Sequence, residues 1–136
     1  MGKPINSKHS KRDCRYFQVY EEWFESPAYR SFNPTARCLL DEFCNIYRPG
    51  RNGSLVLSNE VAAKRLNLSV ETTRKAFHDL METGFLVPNE DAQYLNGRAR
   101  EFRLTIFPSN NGREPTDDWK LWSLDNPVMR FKRRKK

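Results

Sequence analysis

The chain has 136 residues, of which 38% are hydrophobic and 12% aromatic, and this composition is typical of one globular domain rather than of a disordered chain. It contains no apolar run near the roughly 18 residues that a membrane-spanning helix needs, which argues against a membrane protein. The three cysteines, Cys14, Cys38 and Cys44, form no CxxC pair, so we expect small buried thiols rather than disulfides or a zinc site. The N-terminus lacks the apolar core of a signal peptide, so we expect a cytoplasmic protein, with no metal and no cofactor.

The net charge of +7 is concentrated at the two ends of the chain. Residues 130–136 carry six positive charges and residues 1–15 a net +4, which leaves −3 for residues 16–129. Basic ends suit a polyanion because neutralised phosphates release counterions, although residues 130–136 alone are also compatible with a solubilising tail. We predict three parts: a mobile basic tail 1–14, a domain 15–110, and a C-terminal extension with its basic tail 111–136.

Two segments precede the most informative part of the chain. Residues 16–32 are rich in aromatic side chains, so we predict an extended piece and one or two short helices, broken at Pro27, that cover the core or meet a second subunit. Asn33 and Pro34 are suited to cap and begin a helix that ends before residue 49. A very short strand is predicted at 55–57.

Residues 58–84 predict two capped helices separated by a tight turn. Ser58 begins the first helix and Ser69 the second, and Gly84 suits a left-handed residue just beyond the second helix. The predicted apolar positions are Val61, Ala62 and Leu66 in the first helix, and Thr73, Ala76, Phe77 and Leu80 in the second.

A strand at 85–87, a polar loop at 88–98 and a strand at 99–107 complete the predicted domain. Alternation in the last strand predicts two faces: Phe102, Leu104 and Ile106 on the apolar face, and Glu101, Arg103 and Thr105 on the polar face. The element order is therefore helix, short strand, helix, turn, helix, strand, long loop, strand, an α+β order typical of a winged helix-turn-helix.

The stretch 58–84 resembles the winged helix-turn-helix superfamily of bacteria. The matching residues are Ala63, Arg65 to Ser69, Thr72, Ala76, Phe77, Leu80, Gly84 and Phe85. Asn67 stands where this pattern most often has glycine, and asparagine tolerates the left-handed conformation that the turn needs. The resemblance implies that the third helix of the domain enters the major groove of DNA.

A longer stretch, about 100 residues, resembles short helix-turn-helix proteins of bacteria and their mobile elements. The opening of this stretch matches at 26–37, the end of its wing at 98–105 and its C-terminal motif at 115–122. This resemblance implies a helix-turn-helix fold and an origin in a bacterium or a mobile element, but no particular biochemical activity.

The exposed face of the third helix supplies most of the candidate DNA-binding residues: Ser69, Val70, Glu71, Thr72, Arg74, Lys75 and His78. Arg74 and Lys75 are suited to guanine or phosphate, whereas Glu71 would repel phosphate and instead suits cytosine N4 or a protein surface. A solvated helix face is the alternative.

Further candidate phosphate contacts lie near the wing tip and in the C-terminal tail: Arg98, Arg100, Lys132, Arg133, Arg134, Lys135 and Lys136. Arg103 is expected to pair with a nearby acid. His9 and His78 belong to no catalytic set and no phosphate-binding glycine loop is present, so we do not expect an enzyme.

The sequence therefore favours a DNA-binding transcriptional regulator of a bacterial or mobile-element locus, with duplex DNA as its partner and homodimerisation left open. The alternative is a protein-binding winged helix of a phage or plasmid, such as an inhibitor of a host defence complex, and the net charge of −3 on residues 16–129 favours it.

Overall fold

A computed structural model describes residues 14–89, 100–109 and 113–129 as a mixed α+β fold. Its elements, in chain order, are α1 Glu21–Phe24, α2 Pro27–Arg30, α3 Pro34–Ile46, β1 Leu55–Val56, α4 Asn59–Leu66, α5 Val70–Glu82, β2 Leu86–Pro88, β3 Glu101–Leu104 and a 3-10 helix Asp118–Leu121. Within these described ranges, no helix combines the length and the apolar character needed to cross a membrane.

The core is centred on aromatic side chains from α3, α5 and β3. Phe43, Phe77 and Phe102 pack together, with the Phe43 and Phe77 ring centroids 5.7 Å apart and nearly perpendicular and Phe102 within 5.7 Å of both. All three side chains are at most 4% exposed. Burial of such large apolar surfaces is the main force that holds α5 against α3 and β3.

The three strands form a small antiparallel sheet in the order β1-β3-β2. Leu55 pairs with Phe102, and Leu86 pairs with Leu104. The buried Asn52 fixes the turn before β1 to the end of β3, because its amide nitrogen donates to the Leu104 carbonyl at 2.8 Å and its amide oxygen accepts from the Leu104 N–H at 2.7 Å. This strand order places β3 in the centre of the sheet, between β1 on one side and β2, which follows α5, on the other.

The aromatic segment divides into a buried part and an exposed part. Trp23, Tyr29 and Phe32 join the core, as expected of short helices that cover it. Tyr16 and Tyr20 are 79% and 53% exposed, so the extended piece before α1 contributes little to the core.

Several details of the predicted pattern are wrong. Thr105 is fully buried rather than on the polar face, because its hydroxyl donates to the Gly84 carbonyl at 2.6 Å, where the chain leaves α5. Val61 is 51% exposed, and Ala63 takes its place in the buried face of α4. Asn33 precedes α3 but makes no side-chain cap.

The cysteines also differ from the expectation of buried thiols. Cys14 and Cys38 are free and exposed, and Cys44 is free and buried. Burial raises the pKa of the Cys44 thiol to about 12, so this thiol is unreactive near neutral pH.

Residues 113–129 pack onto the helices and the sheet. Trp119 is 7% exposed and stacks on Phe85 with ring centroids 6.1 Å apart. Gly84 has a φ of +90°, and a β-carbon there would lie 2.8 Å from the Asp118 backbone. Glycine is therefore required at this position both by its left-handed conformation, as the sequence predicts, and by the close approach of the C-terminal segment.

Candidate nucleic-acid interface

Local hydrogen bonds fix where α5 begins. The Ser69 hydroxyl accepts from the Thr72 N–H at 3.1 Å, which satisfies one of the free donors of the first turn. Asn67 adopts a left-handed conformation with a φ of 59°, and it ends α4 immediately before this cap. The helix-turn-helix sequence 58–82 thus folds locally as its capping residues predict.

One face of α5 is buried and the other is open to solvent. Thr73, Ala76, Phe77 and Leu80 are at most 4% exposed, as their helical spacing predicts. The open face carries most of the candidate DNA-binding residues: Val70, Glu71, Arg74 and Lys75 are exposed, and Thr72 and His78 are half-buried. The first two turns of the helix therefore present both cationic and apolar groups.

Arg74 does not extend freely from the helix. Its guanidinium donates to the Glu71 carboxylate one turn earlier, and this hydrogen bond is the main reason why the pKa of Arg74 is raised. Both side chains remain about half exposed. The pair places a donor and an acceptor side by side on the open face and reduces the net positive charge there.

His78 lies near the positive charges of Arg74 and Arg100 and near the weaker opposing charges of Asp79 and Glu71. Burial lowers the pKa of His78 most, followed by the charges of Arg74 on the same helix and Arg100, which immediately precedes β3. The Arg100 guanidinium lies 3.8 Å from the Met81 sulfur. Arg100 therefore lies beside the second half of α5. The pairing of Glu101 and Phe102 with β1 holds this end of β3 in the sheet.

The C-terminal end of α5 has the opposite charge. Asp79 and Glu82 lie on its last two turns, and no basic residue lies on its last turn. Burial, and then the charge of Glu82, raise the pKa of Asp79. This end of the helix, where the macrodipole is also negative, repels phosphate by itself.

The structure also shows the surroundings of other basic residues, in α4 and β3. Among the described residues, Arg103 forms no ion pair with an acid, contrary to the expectation from the sequence, and its guanidinium donates to the Thr116 hydroxyl at 2.8 Å. Arg65 of α4 forms an ion pair with Glu42 of α3 at 2.6 Å. Lys64 is exposed in the last turn of α4, and its place just before the turn could have marked it as a candidate.

Six candidate residues lie outside the described ranges: Arg98, Lys132, Arg133, Arg134, Lys135 and Lys136. Comparisons of this chain with protein families, with characterised protein sequences and with solved structures find no match. The functional argument therefore depends on the chemistry of the α5 face and its surroundings.

Proposed function

We propose that this chain is a winged helix-turn-helix protein that binds duplex DNA and regulates transcription of a bacterial or mobile-element locus. The observation that carries the proposal is the two-faced α5, which is buried on one side and offers exposed Arg74 and Lys75 on the other. An α-helix with its side chains is about 10–12 Å wide, which fits the roughly 12 Å major groove of B-DNA.

The order of the elements supports this assignment of the fold. Strand β1 lies between α3 and α4, and β2 and β3 follow α5 and pair with each other. In a winged helix, the loop between the last two strands is the wing, which here corresponds to residues 89–100. The wing would flank the groove that α5 enters.

The side chains of the first two turns match the chemical groups of base edges. Arg74 and Lys75 would donate to guanine O6 and N7, and Val70 would contact a thymine methyl. Glu71 would accept from cytosine N4 while it orients the Arg74 guanidinium. Such a mixed donor, acceptor and apolar surface suits recognition of a sequence better than uniform attraction to phosphate.

Phosphate contacts would come from residues around this reading surface. The Ser69 hydroxyl and the helix N-terminus beside it are suited to one phosphate. Arg100 and His78 would contact the backbone farther along the helix, together with Arg98 of the wing and the basic residues 132–136.

The proposal is tested by selecting ligands for the full-length protein from a random pool of DNA duplexes and measuring their affinity by fluorescence anisotropy at several salt concentrations. We expect enrichment of a short motif and binding of this motif at least about 1,000-fold tighter than of unrelated duplex. Failure to enrich any motif, with all duplexes bound equally weakly, would contradict the proposal.

A second candidate function is binding of a protein partner through the same face of α5. Val70 is 45% exposed and lies beside the Glu71–Arg74 ion pair, in which the two charges offset each other. Burying such a surface against a protein partner costs less desolvation free energy than burying unpaired charges does, which favours this alternative. Under this alternative, Val70→Asp abolishes capture of a partner from cells while the selection finds no DNA motif.

A further inference from the structure

A groove with a volume of about 1000 Å³ lies between four segments of the chain, all of them outside α5. The segments are the extended piece before α1, the end of α3 with the turn after it, the residues after β3, and a part of the chain near residue 115. Sites for small organic molecules commonly have volumes of roughly 300–1,000 Å³. The groove is therefore large enough to hold such a molecule.

Aromatic side chains line much of this groove. The Tyr47 and Phe107 rings lie side by side, with their centroids 4.6 Å apart. Tyr16, Phe17 and Tyr20 line the same groove and remain exposed to solvent. Apolar surface that is exposed in one place, rather than scattered singly, marks a binding surface, and aromatic rings stack well with other planar rings. The walls therefore favour a planar aromatic ligand.

Two guanidinium groups of the groove meet at one carbonyl oxygen. The Arg48 Nη1 donates to the Asn45 carbonyl at 2.8 Å and to the Tyr47 carbonyl at 2.7 Å. The Arg15 Nη2 donates to the same Asn45 oxygen at 3.3 Å. A guanidinium has five N–H donors, so these bonds leave further donors on each group. Among the described residues, neither arginine forms an ion pair with an acid.

A purely structural role accounts for only one of these two arginines. Cations stabilise the C-terminal end of a helix, and Arg48 meets that need at the end of α3. Arg15 comes to the same oxygen from an exposed segment 30 residues earlier. Glu114 also lines the groove, so its charged side chains sum to +1. Two positive charges this close repel each other, and a carboxylate bound by both offsets that repulsion.

We propose that this groove is a binding site for a planar aromatic carboxylate. The ring of the ligand stacks among the aromatic side chains, and its carboxylate accepts hydrogen bonds from Arg15 and Arg48, whose planar guanidiniums match a carboxylate in shape and charge. The inference goes beyond the proposed function and does not rest on it, because the lining residues lie outside α5. The small anion and a DNA duplex would occupy different surfaces of the protein.

The proposal is tested by titrating the full-length protein with naphthoate and indoleacetate, and with the neutral amides of both, in proton–nitrogen NMR spectra. We expect the acids to bind with a Kd of about 1 mM or below, which ordinary contacts give a ligand of about a dozen non-hydrogen atoms. The amides have the same shape without the charge and should bind at least about tenfold more weakly. Backbone signals of 44–48 and 106–107 should shift, whereas those of 70–75 should not.

Two variants separate the charge from the aromatic wall. Arg15→Gln should weaken binding of naphthoate about tenfold and leave binding of its amide unchanged, since only the acid uses the guanidinium charge. Tyr16→Ala should weaken both about threefold, because it removes stacking surface. Arg51→Gln is the matched control: Arg51 is exposed in the turn after α3 but does not line the groove. The melting temperatures of all three variants should stay at the wild-type value.

Three results would overturn the inference. The first is that neither acid binds, or that acids and amides bind equally. The second is that the shifts concentrate on 70–75 while Arg15→Gln and Arg51→Gln behave alike, which would indicate unspecific attraction of an anion to basic side chains. The third is a dimer by light scattering that Tyr16→Ala converts to a monomer while neither acid binds, because a second copy of the chain would then fill the groove. None of these results depends on whether the protein selects a DNA motif, so the proposed function is tested separately.

Discussion

Arg74 is the side chain on the open face of α5 whose loss is most informative. It is held by Glu71 and lies in the second turn, off the buried stripe. We expect Arg74→Ala to weaken binding of the selected duplex by about 1–3 kcal/mol and to relax preference at one base pair, as loss of a bidentate guanine contact does. Unfolding free energy should change by less than about 0.5 kcal/mol. Anisotropy titrations on single-base variants of the motif measure this effect.

Arg51→Ala is the matched control for Arg74→Ala. Arg51 is also exposed, but its neighbour Asn52 bonds to the backbone at Leu104 and Pro108, at the opposite end of β3 from Arg100. We expect no loss of affinity in the control. Uniform weakening by Arg74→Ala on every duplex would show that Arg74 touches phosphate only.

His78 makes the stability of the fold depend on pH. Because burial, Arg74 and Arg100 lower the pKa of His78 below its ordinary value of 6.5 while Asp79 and Glu71 oppose them more weakly, the folded state binds the proton less well than the unfolded state. The contribution of the neutral His78 to the free energy of unfolding is therefore complete above the ordinary histidine pKa. It is lost as the pH falls through the lowered pKa of the folded state. We expect Tm to fall from pH 7 to pH 5 more steeply in the wild type than in His78→Gln.

The same histidine should respond to DNA in the opposite direction. A nearby phosphate favours the charged imidazolium, so binding should take up a proton and tighten as the pH falls from 7.5 to 6. His9→Gln, which alters the other histidine of the chain, is the control for both measurements. An identical pH profile for wild type and His78→Gln would remove His78 from the interface.

Among the elements, α5 is packed against α3 and β3 through two aromatic contacts of Phe77. Phe77 packs against Phe43 and Phe102 with both centroid distances at 5.7 Å. We expect Phe77→Ala to lower the unfolding free energy by about 3–5 kcal/mol, since it leaves a cavity where three elements meet. Val70→Ala, on the exposed face of the same helix, should change it by less than about 0.5 kcal/mol. Chemical denaturation of both variants provides the comparison, and a wild-type midpoint for Phe77→Ala would mean that α5 is rotated about its axis.

For the whole molecule, the concentration of positive charge in residues 1–15 and 130–136 predicts how DNA binding depends on salt concentration. Removal of residues 130–136 deletes six positive charges and should flatten the slope of log K against log salt by up to about five, with affinity reduced on all duplexes alike. A variant that keeps the length but replaces the six Lys and Arg residues by Gln should behave in the same way. An unchanged slope in either protein would show that residues 130–136 do not contact DNA.

The sequence by itself determined the features that depend on neighbouring residues in the chain. The caps at Ser58 and Ser69, the left-handed Asn67 and the buried stripe around Phe77 all follow from local hydrogen bonds and from the 3.6-residue period. The exposed candidates Val70, Glu71, Arg74 and Lys75 follow from the same period, since they lie off the stripe.

Only the tertiary structure decided what depends on contacts distant in sequence. Thr105 is buried where its hydroxyl donates to the carbonyls of Gly84 and Phe85, which lie 21 and 20 residues earlier in the chain, so a two-residue alternation cannot predict its environment. Arg100 joins His78 through the pairing of β3, and Trp119 enters the core across the gap that Gly84 leaves. Periodicity in the sequence predicts which face of an element is apolar. Which other element that face packs against depends on the packing of the whole chain.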